Sequence, residues 1–204
     1  MGVYKLSANS VKNGRTIYGS MLAGNTAFVD TAFESIATIS LSSSSPASVE
    51  FTNIPQTFTH LQVRMFLRYT TTSPNAYDPT RFRFNGDSGS NYTYHYLTGN
   101  GSSANVGAGS SQTNGWTSIY PYAGDTSTFG AGIMDILDYT NTNKYKTVKT
   151  LSGSDANGSG EFFIDSSVWM NTSAVTSIRF YDASISNSAF RQYSHFALYG
   201  IKAA

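Results

Sequence analysis

Three histidines, His60, His95 and His195, are the residues of this chain best suited to hold a metal ion or to move a proton. Each falls in a segment with aromatic neighbours, and strands can bring residues that are distant in sequence into one three-histidine site. The H-x-H and H-x-x-x-H spacings of a local site are missing. The expectation is aromatic packing or an exposed strand face, with no metal and no cofactor. Asp135 and Asp138 are close in sequence. On a strand, however, positions three apart face opposite sides, so they do not make the two-carboxylate pair that glycoside hydrolysis needs. Glu34, Glu50 and Glu161 stand alone, and no Gly-x-Ser-x-Gly elbow joins a strand to a helix. The chain reads as a non-enzyme.

Two further groups could bind a ligand. Asn85, Asp87 and Asn91 are oxygen donors around glycines, with the flavour of a calcium loop. An EF-hand loop closes with a carboxylate at its last position, and counted from Asn85 that position is Tyr96. A structural turn is the better reading, since Asn, Asp and Gly tolerate left-handed backbone and bond back to it. The run from Asp155 to Gly160 reads as a hairpin turn on the same grounds. The second group is aromatic: Tyr77, Tyr92, Tyr94, Tyr96, Tyr120 and Tyr122 with Trp116. A ring covers the apolar face of a sugar while nearby amides bond its hydroxyls. Alternation sends about half of such a set into a core, and Trp116, Tyr94, Tyr120 and Tyr122 are the candidates for glycan contact.

The elements that must position these residues are strands. From His60 to Tyr69 the alternation is the cleanest in the chain, with Leu61, Val63, Met65, Leu67 and Tyr69 on one face and His60, Gln62, Arg64, Phe66 and Arg68 on the other. Further strands are expected at 33–41, 49–52, 81–84, 92–97, 116–120, 132–139, 145–151, 161–164, 168–170, 175–181 and 195–201. Nowhere do apolar residues keep a helical spacing over three turns. Short strands with Gly, Asn and Ser between them point to an all-β fold, a jelly-roll-like antiparallel β-sandwich. An immunoglobulin-type sandwich is less favoured, because its Cys…Trp…Cys signature needs cysteines that the chain lacks. The expected core is Leu61, Val63, Leu67, Phe82, Phe84, Ile136, Ile178, Phe180, Phe196 and Leu198. Residues 1–32 keep neither period. They read as an extended N-terminal arm, with Tyr4, Leu6, Arg15, Ile17, Tyr18 and Leu22 as its contacts, before a sandwich domain at 33–204.

Composition narrows the partners. The 204 residues carry 13 Lys+Arg against 12 Asp+Glu, a formal net charge of +1. A nucleic-acid binder would show a clustered basic stripe. Charged residues make up 12%, about half the usual share, and low charge weakens the repulsion that keeps monomers apart. Without cysteine there are no disulfides or thiolate metal sites. No apolar run is long enough to span a membrane, and Met1–Ser10 lacks a signal-peptide pattern.

An ordered series of segments carries a further likeness. It runs from Phe33-Glu34-Ser35-Ile36-Ala37-Thr38 through Val49-Glu50-Phe51-Thr52-Asn53-Ile54-Pro55, Thr59-His60-Leu61-Gln62-Val63-Arg64 and Arg83-Phe84-Asn85-Gly86-Asp87-Ser88-Gly89-Ser90-Asn91-Tyr92. It continues through Asp138-Tyr139-Thr140-Asn141 and Trp169-Met170-Asn171-Thr172 to Phe196-Ala197-Leu198-Tyr199-Gly200-Ile201-Lys202. Over residues 33–202 the chain resembles a group of small bacteriophage structural proteins, common among phages of aquatic bacteria. The resemblance implies a virion component: a capsid spike, a cement protein or the tip of a short tail fibre. It would be attached through the N-terminal arm to other virion proteins, and a host-glycan receptor-binding module is the alternative. A homotrimer is expected by analogy with threefold phage projections. None of the shared motifs is catalytic.

Overall fold

The computed structural model describes residues 33–43, 46–70, 80–119, 127–155, 160–182 and 188–202. All belong to the unit Ala32–Ala204. The expected arm residues, together with Tyr77, Tyr120 and Tyr122, lie outside the described residues.

The described residues hold twelve strands and no helix. In chain order they are β1 (Phe33–Ser40), β2 (Ser48–Phe51), β3 (His60–Leu67), β4 (Thr80–Phe84), β5 (Tyr92–Gly99) and β6 (Ala104–Gln112). There follow β7 (Gly115–Trp116), β8 (Gly130–Leu137), β9 (Lys146–Asp155), β10 (Gly160–Trp169), β11 (Ile178–Asp182) and β12 (His195–Ile201). They form an eight-stranded sheet, ordered β1-β12-β3-β8-β9-β10-β5-β6, and a four-stranded sheet, ordered β2-β11-β4-β7. Every strand pairing is antiparallel. The protein is an all-β sandwich. The strands β1, β12, β3 and β8 lie side by side in the larger sheet, and β2, β11, β4 and β7 make up the smaller one. The strands β9, β10, β5 and β6 widen the larger sheet beyond its first four.

The two inner faces make one core. Leu61, Val63, Met65 and Leu67 of β3 and Phe196 and Leu198 of β12 meet Phe82 and Phe84 of β4 and Ile178 and Phe180 of β11. All ten residues expected in the core are fully buried. Aromatic packing continues through the sandwich: Phe84 meets Trp169 edge-on at 5.5 Å, and Phe190 meets Phe196 edge-on at 5.0 Å.

Three sequence expectations need correction. The strand placed at 116–120 ends at Trp116; Ser118 takes a left-handed φ of 32° and is hydrogen-bonded to Asp165 and Ser152 of the larger sheet. The pieces at 161–164 and 168–170 are one strand, β10, in which the polar Asp165 and Ser167 face inward. The strand β6 was not expected at all. Arg68 also departs from the outward-facing set. It lies past the end of β3 and is buried, its backbone N–H donating to Ser194 Oγ at 3.1 Å.

Candidate functional site

The turn between β4 and β5 is built from the donors that resembled a calcium loop. Asn85, at φ 50°, accepts from the backbone N–H groups of Thr176 (2.8 Å) and Ser177 (3.1 Å) and donates to the Ala174 carbonyl (2.8 Å). One oxygen of Asp87 accepts from the Gly89 N–H at 2.8 Å. The other accepts from Asn91 Nδ2 at 2.9 Å and from the Trp169 indole at 2.7 Å. Burial pushes the Asp87 carboxyl up, but the hydrogen bonds from Trp169, Asn91, Gly89 and Asn171 outweigh it and hold the group below its ordinary value. These oxygens are spent on protein partners, so the turn works as a clamp between the two sheets.

The three histidines sit apart. His60 and His195 lie at opposite ends of the β3–β12 pair, opposite Ile201 and Phe66. His95 is on β5, four strands from β3 in the sheet. His60 Nδ1 accepts from the Asp138 N–H at 3.0 Å. The Asp138 carboxylate is held low chiefly by its 2.8 Å bond from Lys144, while Asp135 accepts from Gln62 on the outer face of β3. Among the described residues no three His, Cys, Asp or Glu side chains gather as a metal site.

The aromatic candidates form a layered pile at the β5–β6 margin. Tyr94 and Tyr96 lie over Gly109 and Gly107 of β6, so closely that a Cβ on either glycine would fall 2.5–2.6 Å from a ring. Trp116 stacks on Tyr94 with centroids 3.8 Å apart and lies parallel to Tyr96 at 5.9 Å. The Arg81 guanidinium carbon sits 3.4 Å from the Trp116 centroid. A face already covered by a ring has no room for it, so it takes the opposite face, as a cation–π partner. A sugar meeting Trp116 would have to displace the arginine or lie on the ring edge.

Behind the pile, Asp165 of β10 points inward opposite Tyr96 and Thr150. Ser118 Oγ donates to its Oδ1 at 2.7 Å, and Oδ2 has no hydrogen-bond partner. Burial pushes this carboxyl up to about 6, against the opposing pull of Ser118 and Arg81.

The outer face of the larger sheet is the unexpected feature. An antiparallel sheet packed on one side normally turns polar residues outward. Here the register puts Ile133 opposite Leu151, Leu151 opposite Ile164, Ile164 opposite Leu97 and Leu97 opposite Val106. The result is one apolar rung across five neighbouring strands, its members between 41% and 78% exposed. Phe162, opposite Gly153 and Gly99, and Phe66, stacked on Phe129 at 4.7 Å, broaden it. The adjacent row is Gln62, Asp135, Lys149, Ser166 and His95. Near β6 the rung borders a hollow of about 650 Å3 lined by Leu97, Val106, Ala108, Ile164, His95 and Lys149. Apolar patches beyond a few hundred Å2 mark interaction sites on soluble proteins. The signal in sequence was apolar residues at both parities of a strand, as in Phe162-Phe163-Ile164 and Ile133-Met134.

Comparisons with protein-family models, with curated proteins and with solved structures returned no match to this chain.

Proposed function

We propose that this chain is a non-enzymatic structural subunit of a phage particle, a β-sandwich surface projection that assembles through the outer face of its larger sheet. The observation that carries the reading is the apolar rung from Ile133 to Val106, left exposed on an otherwise well-packed domain. Such a face suits burial against protein. The row beside it carries charges of both signs, Asp135 opposite Lys149, and so does not repel a like surface. The phage context comes from the resemblance over residues 33–202, which also suggests attachment through residues 1–32 and a threefold order. Mass spectrometry and electron microscopy of purified virions from the encoding phage test it. The product should be present in stoichiometric amounts and visible as a projection. Mature infectious particles that lack it would overturn the reading.

A further inference from the structure

The two sheets have four edge strands, and three of them carry features that discourage pairing. The strand β1 holds Glu34, which pairs with Lys202 at 3.3 Å, and its register breaks at a bulge between Ser35 and Ala37. The strand β2 is four residues long and includes the exposed Glu50, and β7 has two residues. Short edges, charges and bulges are the devices by which proteins keep sheet edges from meeting other chains.

The remaining edge, β6, lacks those devices over most of its length. Its nine residues, Ala104 to Gln112, include no charged residue and no proline. Its register with β5 is unbroken from Ala104 to Gly109, and the irregularity comes only beyond, where Ser111 takes a φ of 54°. Among the described residues no strand pairs with its other side. The apolar rung runs out to this edge and ends in Val106, the most exposed large apolar side chain described, at 78%.

We propose that β6 is a docking edge for β6 of a second copy of this chain, paired antiparallel about a two-fold axis. Antiparallel pairing lets one strand meet itself, and isologous contact is the usual form of a two-fold interface. With Val106 set opposite Val106 of the second copy, both outer faces lie on the same side. The rung then continues from Leu97 and Val106 of one copy into the same residues of the other. That continuity commits the occupant to a second copy. An unrelated charged segment would find no counter-charge on β6, and only the same chain supplies the matching rung. The inference rests on β6 and on the apolar rung that ends there, and it holds whether or not the chain is a virion protein. A threefold contact elsewhere on the molecule is compatible with it.

The test uses the full chain. Val106→Lys places like charges at the contact without touching the core and should halve the particle mass measured by light scattering, from dimer to monomer or from hexamer to trimer, while the chain still melts cooperatively. Val106→Cys, in a chain that has no other cysteine, should cross-link into covalent dimers with a short bismaleimide. This second variant decides the matter if the lysine variant misfolds. A wild-type chain that stays monomeric or strictly trimeric at its highest soluble concentration, a mass that Val106→Lys leaves unchanged, or a cysteine variant that does not cross-link would each overturn the proposal.

Discussion

The carboxylate of Asp87 accepts a 2.7 Å hydrogen bond from the indole N–H of Trp169, tying the turn after β4 to the end of β10 across 82 residues of sequence. Trp169 is one of the largest fully buried side chains, and the same carboxylate oxygen also holds Asn91. One surface turn is thereby fastened to the core.

Asp87→Ala should lower stability by about 2–3 kcal/mol, because it leaves a buried indole donor unpaired and frees the turn. Thermal melting checks the size. The pH dependence checks the cause. The folded pKa lies below the ordinary carboxylate value, so the contribution is complete above that value and is lost as pH falls through the lower one. The gap between wild type and variant should therefore close in strong acid. A gap that persists there would assign the loss to packing.

Asp165 titrates in the opposite sense. Its folded pKa, pushed up to about 6, lies above the ordinary 3.8, so the folded state binds the extra proton between those values. The charged form destabilises the fold at neutral pH, and acidification relieves up to about 3 kcal/mol as pH falls from above 6 toward 3.8. Wild type should gain melting temperature between about pH 7.5 and about pH 5, and Asp165→Asn should lose most of that gain. Equal pH profiles for the two proteins would refute the assignment.

Val63 is fully buried between its β12 and β8 neighbours, opposite Leu198 and Met134. Val63→Asp buries an unpaired charge, at a cost of several kcal/mol, comparable to the whole stability of a domain. No soluble, cooperatively melting variant should be recovered. Recovery of one would show that the inner face of β3 tolerates water.

Gly115 and Gly99 separate space from backbone freedom. A Cβ at Gly115 would fall 2.0 Å from the Phe82 ring, whereas at Gly99 the nearest atom is the Ser103 carbonyl oxygen at 3.9 Å. Gly115→Ala should cost about 1–3 kcal/mol through displacement of a core ring. Gly99→Ala should leave denaturant unfolding close to wild type. Similar losses at both positions would show that contact with Phe82 is not the cause.

Removing residues 1–30 should leave a cooperatively folding sandwich that no longer enters particles. Occupancy equal to wild type in virions made with the truncated protein would refute attachment through that segment.

Strands whose large residues alternate were legible before the structure. In β3 each apolar residue on one parity is buried, and Phe82, Phe84, Phe196 and Leu198 follow the same rule. The strand β6 was hidden because Ala, Gly, Asn and Ser give no contrast between faces. What holds it is pairing with β5 and the rings of Tyr94 and Tyr96, which belong to another strand. The two halves of β10 looked separate because Asp165 and Ser167 interrupt the apolar run. In three dimensions their partners are Ser118 and the backbone of Trp116, which no local pattern could announce. The exposed rung depends on register between strands, and register is a property of the assembled sheet. Trp116 and Tyr94 stood in the sequence as candidates for glycan contact, and the fold stacks them on one another. Their cover, Arg81, comes from a strand whose sequence suggested only alternation.

The glycines beneath Tyr94 and Tyr96 restrict how this rim of the protein can change over evolutionary time. Ring and glycine occupy one space between them, so a larger residue at position 107 or 109 is admissible only in a lineage that has already exchanged its tyrosine. Divergent descendants should show 96 with 107, and 94 with 109, drifting as couples. An ancestor that gained a bulky side chain at either glycine first would have passed through a less fit intermediate.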